Sequence, residues 1–496
     1  MRRRLATSLL FLSFGLMSIA QGEGANAKPN ILFILTDDQG WPTLGCYGND
    51  LVPTPHLDRL AGEGIRFTDA YVTPQCTPTR ASLLTGQHTA RNGMWHVIGW
   101  YGYPWAPLAE PPFVESLPRE SFTLAKGLKT AGYATTCIGK WHLTGPEDGN
   151  YVALKPESAH YFGFDEAPVP TNHKYHQQGD KGVDWLTGET LKFIEKNRER
   201  PWFVYLAHHT IHGPVVAPEE TVDKYRKQGA PETGLHNATY LAAIETLDTG
   251  VGRLLDGLEA LGEKNETLVV FLSDNGGVDT LYEAAPFTEG DGNIERLTIR
   301  ERQFSNAPLR AGKGSAYEGG IRVPCLVRWP GVTAPGSVSN TPVHVVDWLP
   351  TLLAAAGTKT PDDWPIDGVD LSPLLRGGSI APRSLFWYLP FYELRWGATP
   401  SAVIRDGDWK LIESFADSFD SEGRFHPGAK VELFNLRTDL GETRNLAGTE
   451  PARAATMRRR LREWMDSVPA TVPGPNPHHD PQHPLKETKI KQPWNP

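Results

Sequence analysis

The chain has 496 residues, 39% of them hydrophobic and 22% charged, with a formal charge of −9. This length can bury a large core and form two domains, and the composition excludes the disordered and fibrous classes. A net-acidic chain has no general attraction for nucleic acid or an anionic membrane, so any anionic ligand must be met by positive charge gathered in a pocket.

At the N-terminus, Arg2, Arg3 and Arg4 precede an apolar run from Leu5 to Ala20, with Ser18-Ile19-Ala20 or Ala25-Asn26-Ala27 as the cleavage site. The run is short for a membrane span and reads as a secretory signal over residues 1–27, giving a secreted or periplasmic protein. No other stretch approaches the ~20 apolar residues of a span. Four cysteines, Cys46, Cys76, Cys137 and Cys325, are too few and too widely spaced for a disulfide framework. Cys137 and Cys325 adjoin apolar runs and read as small core residues.

Short apolar runs at Asn30–Thr36, Tyr133–Gly139, Trp202–Ala207 and Leu268–Ser273 read as buried parallel strands. Between them, Pro55–Gly64, Phe122–Ala131, Glu189–Lys196 and Ala238–Leu261 have helical patterns. The alternation predicts an α/β fold, a mostly parallel sheet covered by helices on both faces, over residues 28–379. Asp37 and Asp38 follow the first strand, Lys140 and His142 the second, His208, His209 and His212 the third, and Asp274 and Asn275 the fourth. Sites in such sheets lie beyond the carboxyl ends of the strands, so these groups point to one convergent site. Residues 380–470 predict a smaller α+β domain, with strands near Ala402–Arg405, Trp409–Ile412 and Val431–Asn435 and a helix over Pro451–Ser467. The tail, 471–496, is Pro-rich with His478, His479 and His483, and reads as a polar segment packed or frayed on the surface rather than a metal site.

In Cys76-Thr77-Pro78-Thr79-Arg80, Thr77 is a natural N-cap, Pro78 suits the first helical turn and Gly86 the stop. This sets Cys76 just outside a helix N-terminus, where negative charge is favoured, with Arg80 able to reach the same anion. By itself the pattern also suits a low-pKa thiol. A tyrosine-phosphatase loop is excluded, because only three residues separate Cys76 from Arg80.

Cys76-x-Pro78-x-Arg80 with Leu83-Leu84-Thr85-Gly86 resembles the first signature of the type I sulfatases, and Gly132-Tyr133 through Ile138-Gly139-Lys140-Trp141-His142 resembles the second. Pro29–Gly40, Ser273-Asp274-Asn275-Gly276 and Leu309–Arg322 are also similar to family segments, in the family's order. Gln75 departs from the small or aliphatic residue usual before the cysteine. The resemblance implies an alkaline-phosphatase-like fold. It implies one calcium ion held by Asp37, Asp38, Asp274 and Asn275 together with the group at Cys76; carboxylates and an amide are the hard oxygen ligands such an ion takes. Cys76 matches the residue that a maturation enzyme oxidises to formylglycine. Its hydrate attacks sulfur, releases the alcohol and then eliminates sulfate. Arg80, Lys140 and Lys313 match the cations around the sulfate, His142 the base that triggers elimination, and His212 the group beside the leaving oxygen. His208 and His209 have no such match.

The aromatic segments Trp95–Phe113 and Trp387–Trp396, the latter with Arg395, fit either a pocket lining for sugar rings or loop packing. Export and these loops point to a sulfated carbohydrate substrate. Two alternatives stand beside this reading: a phosphodiesterase or phosphonate monoester hydrolase of the same superfamily, and an inactive glycan-binding homologue.

Overall fold

The structure, a computed structural model, describes residues 28–99, 103, 105–284, 297–302, 304–420 and 424–480. The expected signal lies outside these residues. The larger body holds strands β1 (Asn30–Thr36), β2 (Ile65–Tyr71), β3 (Ala134–Gly139), β4 (Trp202–Ala207) and β5 (Thr267–Ser273). A hairpin, β6 (Thr280–Ala284) and β7 (Leu297–Arg302), follows, then β8 (Arg322–Arg328), β9 (Ser337–Ser339) and β10 (Val343–His344). The sheet runs β10-β2-β8-β5-β1-β4-β3, with β9 also on β2. The β5-β1-β4-β3 half is parallel, and β8 is antiparallel to both β5 and β2.

Every residue of β1 is buried, because the sheet is covered on both faces. The strand's alternation sends Ile31, Phe33 and Leu35 into one core with Leu128, Leu349 and Leu353. Leu32 and Ile34 enter the other with Leu60, Leu186, Leu247 and Leu254. Helix 238–260 begins where expected, its Asn237 side chain accepting from the Tyr240 amide at 3.0 Å. The helix expected at Glu189–Lys196 starts six residues earlier, at Val183. Gly188 interrupts the apolar pattern but stands on an open face, so it does not break the buried stripe of Val183, Leu186, Thr187 and Thr190. Cys137 and Cys325 are buried core residues, and all four cysteines are free.

Toward the C-terminus, β11 (Ser384–Leu389), β12 (Ser401–Asp406) and β13 (Trp409–Ser414) come first. A small hairpin follows, β14 (Asp417–Phe419) with β15 (Phe425–Pro427), then β16 (Lys430–Asn435). The sheet β11-β12-β13-β16 is antiparallel, and helix 451–467 covers it with Met457, Leu461 and Met465. It docks through buried charge: Lys410 lies 2.9 Å from Glu318 and 2.8 Å from Glu442, and Arg405 lies 2.7 Å from Asp69. The two aromatic segments pack on each other, Trp95 edge-on to Tyr388 and Tyr103 to Tyr392. The tail packs on the first of them, Asn476 donating to the Ala106 carbonyl and His479 lying 3.1 Å from that of Trp105. Trp100, Tyr101 and His483 lie outside the described residues.

Candidate active site

Cys76 opens the helix 76–85; it does not precede it. Gln75 is the residue before the first turn and makes no side-chain cap, while Thr77, expected as the cap, donates its hydroxyl to the His142 carbonyl at 2.8 Å. That bond ties the Cys76 helix to the turn after β3. Gly86 ends the helix with φ +69°, as expected of a glycine stop.

The four strand ends converge on Cys76. Its sulfur lies 3.3 Å from Asp37 Oδ1, 3.9 Å from Asp38 Oδ1 and 3.5 Å from Lys313 Nζ. Lys140 pairs with Asp37, and Lys313 with Asp38 at 2.5 Å. Lys313 arrives because its loop interlocks with the turn after β5. Its amide donates to the Gly277 carbonyl, and an added Cβ on Gly276 would stand 1.7 Å from the Gly319 carbonyl. Asn275 donates to Asp38 Oδ1 at 2.8 Å, while its own buried Oδ1 has no hydrogen-bond partner.

Arg80 differs from expectation. Its guanidinium, wholly buried, grips Asp274 Oδ2 at 2.6 and 3.1 Å and the Lys140 carbonyl at 3.0 Å. It therefore lies behind Cys76 and does not line the cavity. Asp274 uses its other oxygen on the Asp38 amide, 3.2 Å away. The compact set of donor groups, within 4.8 Å of one another, is Asp37, Asp38, Cys76 and His212. His212 joins it from a segment that runs past Asp38, with Nε2 3.9 Å from Asp38 Oδ2 and Nδ1 2.6 Å from the Gly213 carbonyl.

The electrostatics of the floor disfavour a thiolate at Cys76. Burial, then the charges of Asp274 and Asp37, push the Cys76 thiol well above its ordinary pKa, so it is no thiolate. Burial alone would raise Asp37 and Asp38, but Lys140 for the first and Lys313 for the second hold both below the usual carboxylate range. Asp274 is pushed up to about 6, by burial first and by Asp37 next. His142 is held well below the ordinary histidine value by burial and by Lys140; it is neutral, and its buried Nδ1 has no partner.

Above this floor is a cavity of about 320 Å³ that Asp38, Cys76, His142, His212 and Lys313 line from below. Its rim is Val97, Ile98 and Gly99 from the first aromatic segment, Leu281 from β6, and Arg395 and Trp396 from the second. The aromatic segments thus do both things expected of them: their bodies pack as loops and their ends reach the pocket. His208 and His209 are not among the lining residues; His209 is spent on the Tyr175 hydroxyl at 3.0 Å. One group has no expectation behind it. Lys181, buried, donates to the Pro214 carbonyl at 2.6 Å beside His212, and burial lowers its pKa to about 8. A lone lysine in a polar stretch carries no sequence pattern that marks it.

Comparison with known proteins gives the family. The sulfatase family model matches residues 29–358, and that of the N-sulphoglucosamine sulphohydrolase C-terminal region matches residues 312–469. Human arylsulfatase A is 32% identical over 480 residues, covering 87% of this chain and 86% of that protein. A sulfatase of Formosa agariphila is 30% identical, covering 92% of each. Among solved structures, that of Ps i-CgsB in complex with k-i-k-neocarrahexaose superposes with a TM-score of 0.67 at 25% identity, over 88% of this chain and 93% of that one. The chain belongs to the sulfatase family, within the alkaline-phosphatase-like superfamily, and is a sulfuric ester hydrolase.

Proposed function

We propose that the protein is a secreted or periplasmic enzyme that removes sulfate from a sulfated carbohydrate, with Cys76 matured to formylglycine by a dedicated enzyme and a calcium ion beside it. The observation that carries this reading is the place of Cys76: at the floor of the cavity, against two carboxylates and a lysine.

The residues present fit a divalent cation. Asp37, Asp38, Asp274 and the Asn275 amide offer hard oxygens, and the orphaned Asn275 Oδ1 is an acceptor lacking its donor or ion. Charge agrees. Asp37, Asp38 and Asp274 are balanced by Arg80, Lys140 and Lys313, so the floor by itself has no net attraction for an anion. A divalent ion leaves it positive by two, enough for a singly charged sulfate ester and the charge developing at the nucleophile. A bound ion would supply Lewis acidity there, and formylglycine at Cys76, as its hydrate, would offer one hydroxyl toward sulfur and a second to drive sulfate out.

The chain's own groups do the rest. Lys313 stands 3.5 Å from the Cys76 side chain, close enough to screen charge on both nucleophile and sulfate. Arg80 and Lys140 fix the carboxylates from behind. Neutral His142 is the base for the second hydroxyl. His212 has one nitrogen engaged by the Gly213 carbonyl, which leaves Nε2 to handle the leaving oxygen; the anionic ester raises its proton affinity on binding. Trp396 and Arg395 at the rim suit a sugar, through an aromatic face and hydrogen bonds to ring substituents. Among the described residues no helix is long and apolar enough to cross a membrane. A panel of sulfated saccharides set against a phosphate diester and a phosphonate monoester tests the reading. Sulfate release is expected to dominate, and preferred turnover of either phosphorus ester would replace it.

A further inference from the structure

A second cavity, about 310 Å³, adjoins the catalytic one, and Trp396 is a wall of both. The hairpin β6–β7 contributes Tyr282 and Ile299, the loop that carries Lys313 contributes Arg310 and Tyr317, and β14 contributes Phe419. Both cavities sit at the low end of the ~300–1,000 Å³ typical of small-ligand sites, so each suits one ring rather than a length of chain.

The two differ in charge. In the second cavity each arginine already faces a carboxylate. Arg302 lies 2.8 Å from Asp279, and Arg310, stacked on the Tyr317 ring, lies 3.9 Å from Glu432 and donates to the Glu442 carbonyl. Asp420 on the lining is likewise paired, with Arg424 at 2.8 Å. What the cavity offers is aromatic surface, chiefly from Tyr282 and Trp396, which suits the C–H faces of a pyranose. The shared wall also carries an unmet donor, since the buried Nε1 of Trp396 has no hydrogen-bond partner.

We infer that this cavity binds the sugar ring next to the one that bears the scissile sulfate, and that it draws nothing from a sulfate on that ring. The inference rests on the carbohydrate reading of the catalytic site. It makes the enzyme one that acts on a glycan of at least two rings.

The test uses protein with converted Cys76 and three substrates: a sulfated monosaccharide, the same unit joined to an unsulfated neighbour, and the same unit joined to a sulfated one. The second ring is expected to raise kcat/KM by about tenfold, the scale of one good aromatic contact. Sulfate on that ring is expected to add nothing. Tyr282→Ala removes most of the disaccharide-to-monosaccharide ratio, whereas Tyr282→Phe keeps it. Ile299→Asp, at a side chain 61% exposed, also lowers it. A wild-type ratio near one, a ratio that survives both Tyr282→Ala and Ile299→Asp, or a large gain from the second sulfate overturns the subsite alone. Failure to release sulfate from any of the three saccharides overturns the carbohydrate reading, and the subsite with it.

Discussion

Floor and rim of the catalytic cavity are held in different ways. Asp37, Lys140, Asp274 and Cys76 leave the ends of three strands and the start of a helix, all buried, and every charge among them has a partner within the floor. Val97–Gly99, Leu281 and Arg395–Trp396 reach the rim from three separate segments, held by ring packing, loop contacts and, at Arg395, a bidentate pair with buried Glu393. A floor of this kind fixes what bond is broken, because displacing one group unbalances the rest. A rim of this kind fixes which molecule is presented, and it can change without disturbing the chemistry.

The largest effect expected from breaking the floor is loss of metal. Asp37→Asn and prolonged chelation should each cut turnover by about 10⁴-fold, the worth of several kcal/mol of charge stabilisation. Calcium should restore the chelated wild type only. Steady-state rates with and without added ion check this. Chelation is the cleaner probe, because Asp37→Asn leaves Lys140, and Asp274→Ala leaves Arg80, buried without a charged partner; removing one member of such a pair typically destabilises by about 3–5 kcal/mol.

Next come the two histidines, which separate the two halves of the reaction. His142→Ala should release about one alcohol per site rapidly and then slow, the sign of a stalled second step. His212→Ala should show no burst, with a defect of about 10²–10⁴-fold for sugar alcohols and a mild one for activated aryl esters. Rapid-quench measurement of alcohol release distinguishes them; bursts in both, or in neither, contradict the division of roles.

Much of the floor is legible in sequence, for a physical reason. A strand buried on both faces is a bare apolar run, so the first ionisable residue after it stands out: Asp37 after β1, Lys140 after β3, Asp274 after β5. The partnerships are not legible. Arg80 sits one helical turn from Cys76 and reads as a ligand for the same anion, yet its carboxylate partner is 194 residues away. Thr77 has the chemistry of a cap and is drawn off by the His142 carbonyl. The rim is less legible still, since Leu281 and Trp396 become neighbours only through the docking of the C-terminal sheet.

Lys181 sharpens the comparison, being a floor-like buried charge that serves a rim-like segment. Lys181→Met should lower turnover by about tenfold, on the scale of one hydrogen bond to a charged donor, with poor leaving groups affected most. Because burial lowers the lysine's folded pKa to about 8, the unfolded chain binds the proton more tightly. Wild-type stability relative to Lys181→Met should therefore rise as pH climbs from about 8 through the ordinary lysine range, a slope that melting curves at several pH values report.

Among these changes the smallest effect belongs to the rim. Arg395→Lys, which keeps a cation beside buried Glu393, should raise KM for a saccharide sulfate by about threefold while kcat holds, since a contact outside the reacting centre contributes equally to ground and transition states. An equal fall in kcat would move Arg395 from the rim to the floor.

The central claim is that Cys76 acts only after conversion, and the most direct measurement is peptide mass analysis of Cys76 alongside turnover in the same preparations. The account predicts the aldehyde or its hydrate at Cys76 in active protein, with activity proportional to the converted fraction. Full sulfate ester turnover from protein whose Cys76 is an intact thiol would contradict it.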